Sequence, residues 1–274
     1  MNRIMSFVQT IGVNSIPMGG FFFGGWSPST TLALYWFENL VGSLCIALRI
    51  AVHWRVTGKR GHYQAKVTKE TSHRGKSGLS RVAPPLSRST PKPGDAPSFL
   101  MGFLLVSLVF TFGQAIFLGL ILWKVLDLPI EWEALENGAI GVGIFQVAAV
   151  VLDLRVVRTT PFAQLKGLAE RALGRVVLVH LSVIGGMALL AWWGEPRSFF
   201  GIFVVLKLLA DLGGVLPQIQ PTSEPPRWIT WAVARFGKPG EFEQYWRDTH
   251  VQEKREAEED EQVWDAAKRC WRAP

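Results

Sequence analysis

The chain has 274 residues, of which 49% are hydrophobic and 19% charged, and its mean hydropathy of +0.20 is too high for an ordinary soluble domain. A net charge of +7 and a pI near 9.6 would suit a nucleic-acid binder. The basic residues, however, concentrate between apolar segments, which points to membrane topology and away from nucleic acid. The two cysteines, Cys45 in an apolar segment and Cys270 in a charged tail, make neither a disulfide framework nor a CxxC metal motif.

Six segments read as membrane spans: 5–24, 30–54, 98–124, 138–157, 174–193 and 198–217, most of them close to the roughly 20 residues that cross a bilayer. The first is the weakest, because Asn14, Pro17 and its glycine-rich end are tolerated only where neighbouring helices satisfy the backbone. It follows Arg3 without a small-residue cleavage site and is expected to be a retained span, not a signal peptide. Residues 1–54 then form a first hairpin, turning at GGWSPS.

Residues 55–97 carry Arg55, Lys59, Arg60, Lys66, Lys69, Arg74, Lys76, Arg81, Arg88 and Lys92 among many Ser, Pro and Gly, and are expected to be a flexible cytoplasmic loop. Its Gly75-Lys76-Ser77 lacks the first glycine of a phosphate loop. His53, His62 and His73 lack metal spacing and are read as solvated loop or interface residues.

Residues 98–217 supply four further spans. The acidic LDLPIEWEALEN and the short GEPRS turn alternate with a second basic connection at 155–175, which places both termini in the cytoplasm of a multi-pass inner-membrane protein. Within that connection, 161–173 has its leucines near one face and reads as an interfacial helix. Arg49, Asp153 and Arg155 lie toward cytoplasmic span ends, where snorkelling accounts for them. Trp26, Trp54, Trp123, Trp132, Trp192 and Trp193 fall near span ends as interfacial anchors.

Residues 218–274 form a cytoplasmic tail. Around Trp228, Trp231 and Phe236 it mixes aromatic and basic residues in a way that suits anionic lipid headgroups. From 241 onward it reads as a charged helix, with Tyr245, Trp246, Trp264 and Trp271 as apolar anchors, able to dock on the cytoplasmic loops, a second copy or another protein.

Inside the spans the polar residues are the functional candidates, because intramembrane charges are costly. Counting about 1.5 Å per residue from the outer span ends puts Asn14, Glu38, Gln114, Gln146 and Lys207 roughly 13–15 Å deep, in one layer, with His180 and Asp211 roughly 20 Å deep. The tight GEPRS turn makes the last two spans antiparallel neighbours, so Asp211 is expected to accept a hydrogen bond from His180. Lys207 stands one turn from Asp211 and is the expected partner of Glu38. The group reads either as interhelical glue or as a pathway or pocket for a proton, ion or polar solute. No nucleophile and base accompany Glu38 or His180, so no enzyme is assigned, and a lone histidine supports neither a metal nor a cofactor.

Two stretches, NSIPMGGFFFGGWSPSTTLALYWFENLVGSL and GRVVLVHLSVIGGMALLAWWGEPRSFFGIFVVLKLLADLGG, resemble the bacterial multi-pass membrane proteins of domain-of-unknown-function family 6498. The likeness rests on the Trp26 turn, Tyr35, Trp36, Glu38 and Asn39, His180 with the glycines after it, and Lys207 with Asp211. It implies an integral membrane fold and carries no activity. Relatives of this kind tend to show histidines in the third span, where this chain has Ser107 and Gln114, which argues against a multi-histidine site. The basic loop and the tail are expected to be additions to the family core. The fold expected is thus an all-α polytopic bundle of about six spans with a charged helical tail.

Overall fold

The computed structural model describes residues 3–64, 96–121, 129–193, 207, 208, 211, 225, 227–236 and 239–273; the side chains of 3–7, 121, 178–193, 227, 228, 232, 236 and 239–241 are outside the described set. Helix α1 (Arg3–Phe22) runs through Pro17 without ending. Ser27 then caps α2 (Pro28–Thr57), accepting from Thr30 N at 3.2 Å with proline at the first helical position, where its missing N–H costs nothing. Gly58 ends α2 in the left-handed conformation, φ 57°, which a side chain would disfavour. A 3-10 turn (Arg60–Tyr63) follows.

Beyond come α3 (Ser98–Ile121), α4 (Trp132–Leu154), a second 3-10 turn (Val157–Thr159) and α5 (Phe162–Trp193). Lys207, Leu208 and Asp211 are helical. The tail holds α6 (Arg227–Phe236), α7 (Pro239–Asp260) and a hairpin of β1 (Val263–Asp265) with β2 (Cys270–Arg272). Among the described residues, three helices are long and apolar enough to cross a membrane: Pro28–Thr57, Ser98–Leu120 and Trp132–Leu154.

Several expected boundaries move. The segment expected to lie on the interface, 161–173, and the expected fifth span are one continuous helix of 32 residues, because nothing between Phe162 and Trp193 breaks the backbone. The loop expected from residue 55 begins later: α2 continues to Thr57 and the next turn docks, leaving 65–95 outside the described residues. The expected span 198–217 lies outside them apart from Lys207, Leu208 and Asp211. The tail is not wholly helical either, since the hairpin pairs Trp264 with Trp271 across its strands, ring centroids 5.3 Å apart.

Helix α2 is the centre of the bundle, packed on α4, α3 and α5, while α1 lies on α4. One core cluster joins Ile46, Ala47 and Ile50 of α2 to Phe103 of α3 and to Phe162, Leu165, Ala169 and Ala172 of α5. A second joins Val13, Leu34 and Val142 of α1, α2 and α4. Outward, α3 exposes Met101, Leu105, Val109, Phe112, Ile116 and Leu120 along one stripe. An apolar face of this size has bilayer character and would be unstable in water.

Candidate functional site

Lys207 is the hub of a buried ionic cluster. Its Nζ donates to Asn14 Oδ1 at 2.8 Å and to Glu38 Oε1 and Oε2 at 2.9 and 2.7 Å, and lies 3.0 Å from Asp211 Oδ2 on its own helical segment. Asn14 closes the ring, its Nδ2 donating 2.9 Å to Asp211 Oδ2 and 2.9 Å to the Thr10 carbonyl. Three N–H groups thus face two carboxylates and an amide oxygen, which satisfies the ammonium completely. The Tyr35 ring covers it, 4.5 Å from Nζ to the centroid.

Each member is placed by an ordinary helical rule. Tyr35 and Glu38 are three residues apart on α2 and share a face; Lys207 and Asp211 are four apart and do the same. The side chains of Lys207, Glu38 and Asp211 are each 1% exposed. At that burial, charges persist only because they neutralise one another. Arg175 of α5 supplies the second cation, its Nε 4.0 Å from Asp211 Oδ1. Glu38 and Asp211 against Lys207 and Arg175 leave no net charge.

A polar margin extends past this cluster. Gln9 Nε2 donates to Gln146 Oε1 at 3.2 Å, tying α1 to α4. Gly42 makes room beside it: a Cβ there would stand 3.3 Å from Arg175 Nη2 and 3.5 Å from Gln146 Nε2. Gln114 stands apart. It is buried on α3, with Ser107 and Thr111 on the same face, and its Oε1, like both polar side-chain atoms of Asn39, takes no hydrogen-bond partner.

The structure therefore assembles Asn14, Glu38, Lys207 and Asp211, puts Gln146 at the margin and leaves Gln114 outside. Asp211 stands one helical turn beyond Lys207, and the Asn14 amide reaches both. The His180 side chain, expected on Asp211, is outside the described residues, and Asp211 is held by Lys207 and Asn14.

The residue reading missed a second polar site. His53 and His62, expected to be solvated loop or interface residues, are both fully buried, with His53 Nδ1 2.7 Å from His62 Nε2. His53 Nε2 lies 3.0 Å from the Thr160 carbonyl and so carries a proton to donate; His53 Nδ1 then accepts from His62 Nε2–H. Gly61 permits this burial, since a Cβ at that position would collide with the Phe162 ring. Burial, then repulsion from the neighbouring His53 and Lys59, pushes the His62 imidazole down to about 3. Beside the pair, Lys59 Nζ meets Glu261 Oε2 at 2.6 Å, and Glu261 Oε1 accepts from the Phe162 amide at the start of α5.

Arg49, expected to snorkel, is also buried, its Nη2 3.1 Å from Asp153 Oδ2 across α2 and α4. Trp54, expected as a headgroup anchor, donates to the Tyr63 hydroxyl at 3.1 Å, and Tyr63 meets Trp271 of the hairpin. Among the described residues no group of His, Cys, Asp and Glu could hold a metal ion.

Fold and site together define a helical bundle with helices long and apolar enough to cross a membrane and a charge-balanced interior cluster. Residues 1–262 match the family of unknown function DUF6498, and the chain belongs to it. The matched span takes in the basic loop and the tail as far as Gln262. No curated protein and no solved structure matches the chain.

Proposed function

We propose that this chain is an integral inner-membrane protein that moves or senses a proton, an ion or a small polar solute through the core formed by Asn14, Glu38, Lys207 and Asp211. The observation that carries the reading is a single ammonium shared by two carboxylates from different parts of the chain, deep among apolar helices. A proton gained by either carboxylate changes the number of charges that hold α1, α2 and residues 207–211 together. Ionisable groups are kept at such depth where a route or switch needs them.

A second reading has its own support. Every proton of the ammonium is used and the charges sum to zero, as an interhelical lock requires. Under that reading the tail and the loops carry the function, through anionic lipid headgroups or a protein partner.

Two measurements separate these. Glu38 and Lys207 are replaced singly by cysteine in a Cys45→Ala, Cys270→Ala background and treated with membrane-impermeant thiol reagents from either side. Labelling in a folded variant is expected for a route; complete protection would favour the lock. In reconstituted vesicles, Glu38→Gln is expected to leave the protein folded while changing proton or solute coupling, an outcome that a purely structural cluster would not give.

A further inference from the structure

The inference rests on the route or sensor reading and names where its proton enters. The two oxygens of Asp211 are unlike. Oδ2 is occupied by Lys207 Nζ at 3.0 Å and by Asn14 Nδ2 at 2.9 Å. Oδ1 accepts no hydrogen bond, although it is buried, and the Arg175 Nε that faces it at 4.0 Å also has no partner. Glu38 offers no equivalent, because both of its oxygens are bonded to Lys207.

Access differs in the same sense. The side chains of Glu38, Lys207 and Asp211 are 1% exposed, whereas that of Arg175 is 27% exposed. Arg175 is therefore the arm by which the cluster reaches its surroundings, and it touches the cluster at the unoccupied oxygen. A separation of 4.0 Å is too long for a hydrogen bond, and one molecule that both donates and accepts, at about 2.8 Å from each atom, would bridge it.

We propose that Asp211 Oδ1 is the proton-accepting port of the cluster and that Arg175 is the positioning residue that guards it. In the step, a hydronium ion gives its proton to Oδ1 and departs as water, and the carboxylate becomes a neutral acid. Among the described residues, the groups that face Asp211 are Lys207 on its own segment, Asn14 of α1, Arg175 of α5 and, across the ammonium, Glu38 and Tyr35 of α2. After protonation Lys207 keeps Glu38 as its counter-charge. Arg175 loses its own, and being part-exposed it is the cation free to turn outward.

The test uses dicyclohexylcarbodiimide, an apolar reagent that adds to protonated carboxyl groups, on the full-length protein in membranes, with adducts located by peptide mass spectrometry. Asp211 is the carboxyl expected to take more of the adduct, because its Oδ1 has no donor whereas both oxygens of Glu38 are bonded to Lys207. Arg175→Met is expected to raise Asp211 labelling about tenfold near neutral pH, since a carboxyl without its facing cation holds a proton more readily. Arg175→Lys should stay close to the parent. Gly42→Ala, which crowds Arg175 Nη2 from 3.3 Å, should move labelling in the same direction as Arg175→Met and serves as the test if that variant does not fold.

Labelling of Glu38 equal to or above that of Asp211 overturns the proposal. So does an Asp211 adduct that neither Arg175→Met nor Gly42→Ala changes in folded protein. Asp211 labelling without any coupling in vesicles would sink the route or sensor reading and leave the port standing; coupling that depends on Glu38 with Asp211 unlabelled would do the reverse.

Discussion

At Lys207 the arithmetic of burial is unforgiving. Removing one partner from a buried charge network strands the others, at about 3–5 kcal/mol, whereas replacing the whole network by apolar groups can be neutral. Lys207→Met is expected to cost that much, because Glu38 and Asp211 remain as uncompensated carboxylates. Thermal unfolding in detergent, followed by tryptophan fluorescence, checks it. Adding Glu38→Gln to Lys207→Met should recover part of the loss; a double variant no better than Lys207→Met alone would mean that Glu38 contributes nothing through Lys207. The pairing of Glu38 with Lys207 was legible in the sequence, since an ionisable residue in an apolar run needs an opposite charge at its own depth. The Asn14–Asp211 bond was not legible, because counting from span ends gives backbone depth and takes no account of how far a side chain reaches. Arg49 was misread because a charge near a span end can snorkel or pair, and only the α2–α4 packing decides between them.

Among the elements, the junction of α2, the first 3-10 turn and the start of α5 should respond to pH. His62 is held neutral, its imidazole at about 3 against an ordinary 6.5. A histidine depressed in this way stabilises the fold fully above about 6.5 and loses that contribution as pH falls toward 3. The hydrogen-bond pattern gives the mechanism: if His53 Nδ1 gains a proton, His62 Nε2 must become an acceptor, and the proton then sits on His62 Nδ1, which is buried with no partner. Protection factors of the amides in 54–64 and 257–263, with the intrinsic pH dependence of exchange divided out, are expected to fall as pH drops from about 7.5 to 5; His62→Gln should flatten that fall, and an unchanged profile would assign it to the carboxylates instead. Glu261→Ala should loosen the same junction by about 1–2 kcal/mol, by removing a cap and a counter-charge at the helix start. None of this was readable in advance. The burial of His62 depends on Gly61 meeting a phenylalanine 101 positions away, a contact that no local pattern encodes, whereas the helices announce themselves by length and hydropathy.

For the molecule as a whole, contacts made by the tail constrain topology. Arg60 N donates to the Gln262 carbonyl at 2.8 Å, and Lys59 Nζ donates to the Thr160 carbonyl at 3.2 Å. Residues 60, 160 and 262 therefore lie on one side of any membrane the helices cross, and each interval between them contains an even number of crossings. The α3 and α4 helices fill the first interval. If α5 crosses, one return crossing follows it before the tail. Reporter fusions at 64 and 273 are expected on the same side, with a reporter in the 122–128 connection opposite; fusions at 64 and 273 on different faces would be incompatible with the Arg60–Gln262 contact. The same contact has a consequence for how the protein is made. A chain leaves the ribosome from its N-terminus, so Glu259, Glu261 and Gln262, which seal the end of the bundle around Lys59 and Arg60, arrive long after the residues they meet. Until they emerge that end stays unlatched, and a nascent chain cut short before them is marked, by its unmet lysine, arginine and helix amides, as unfinished.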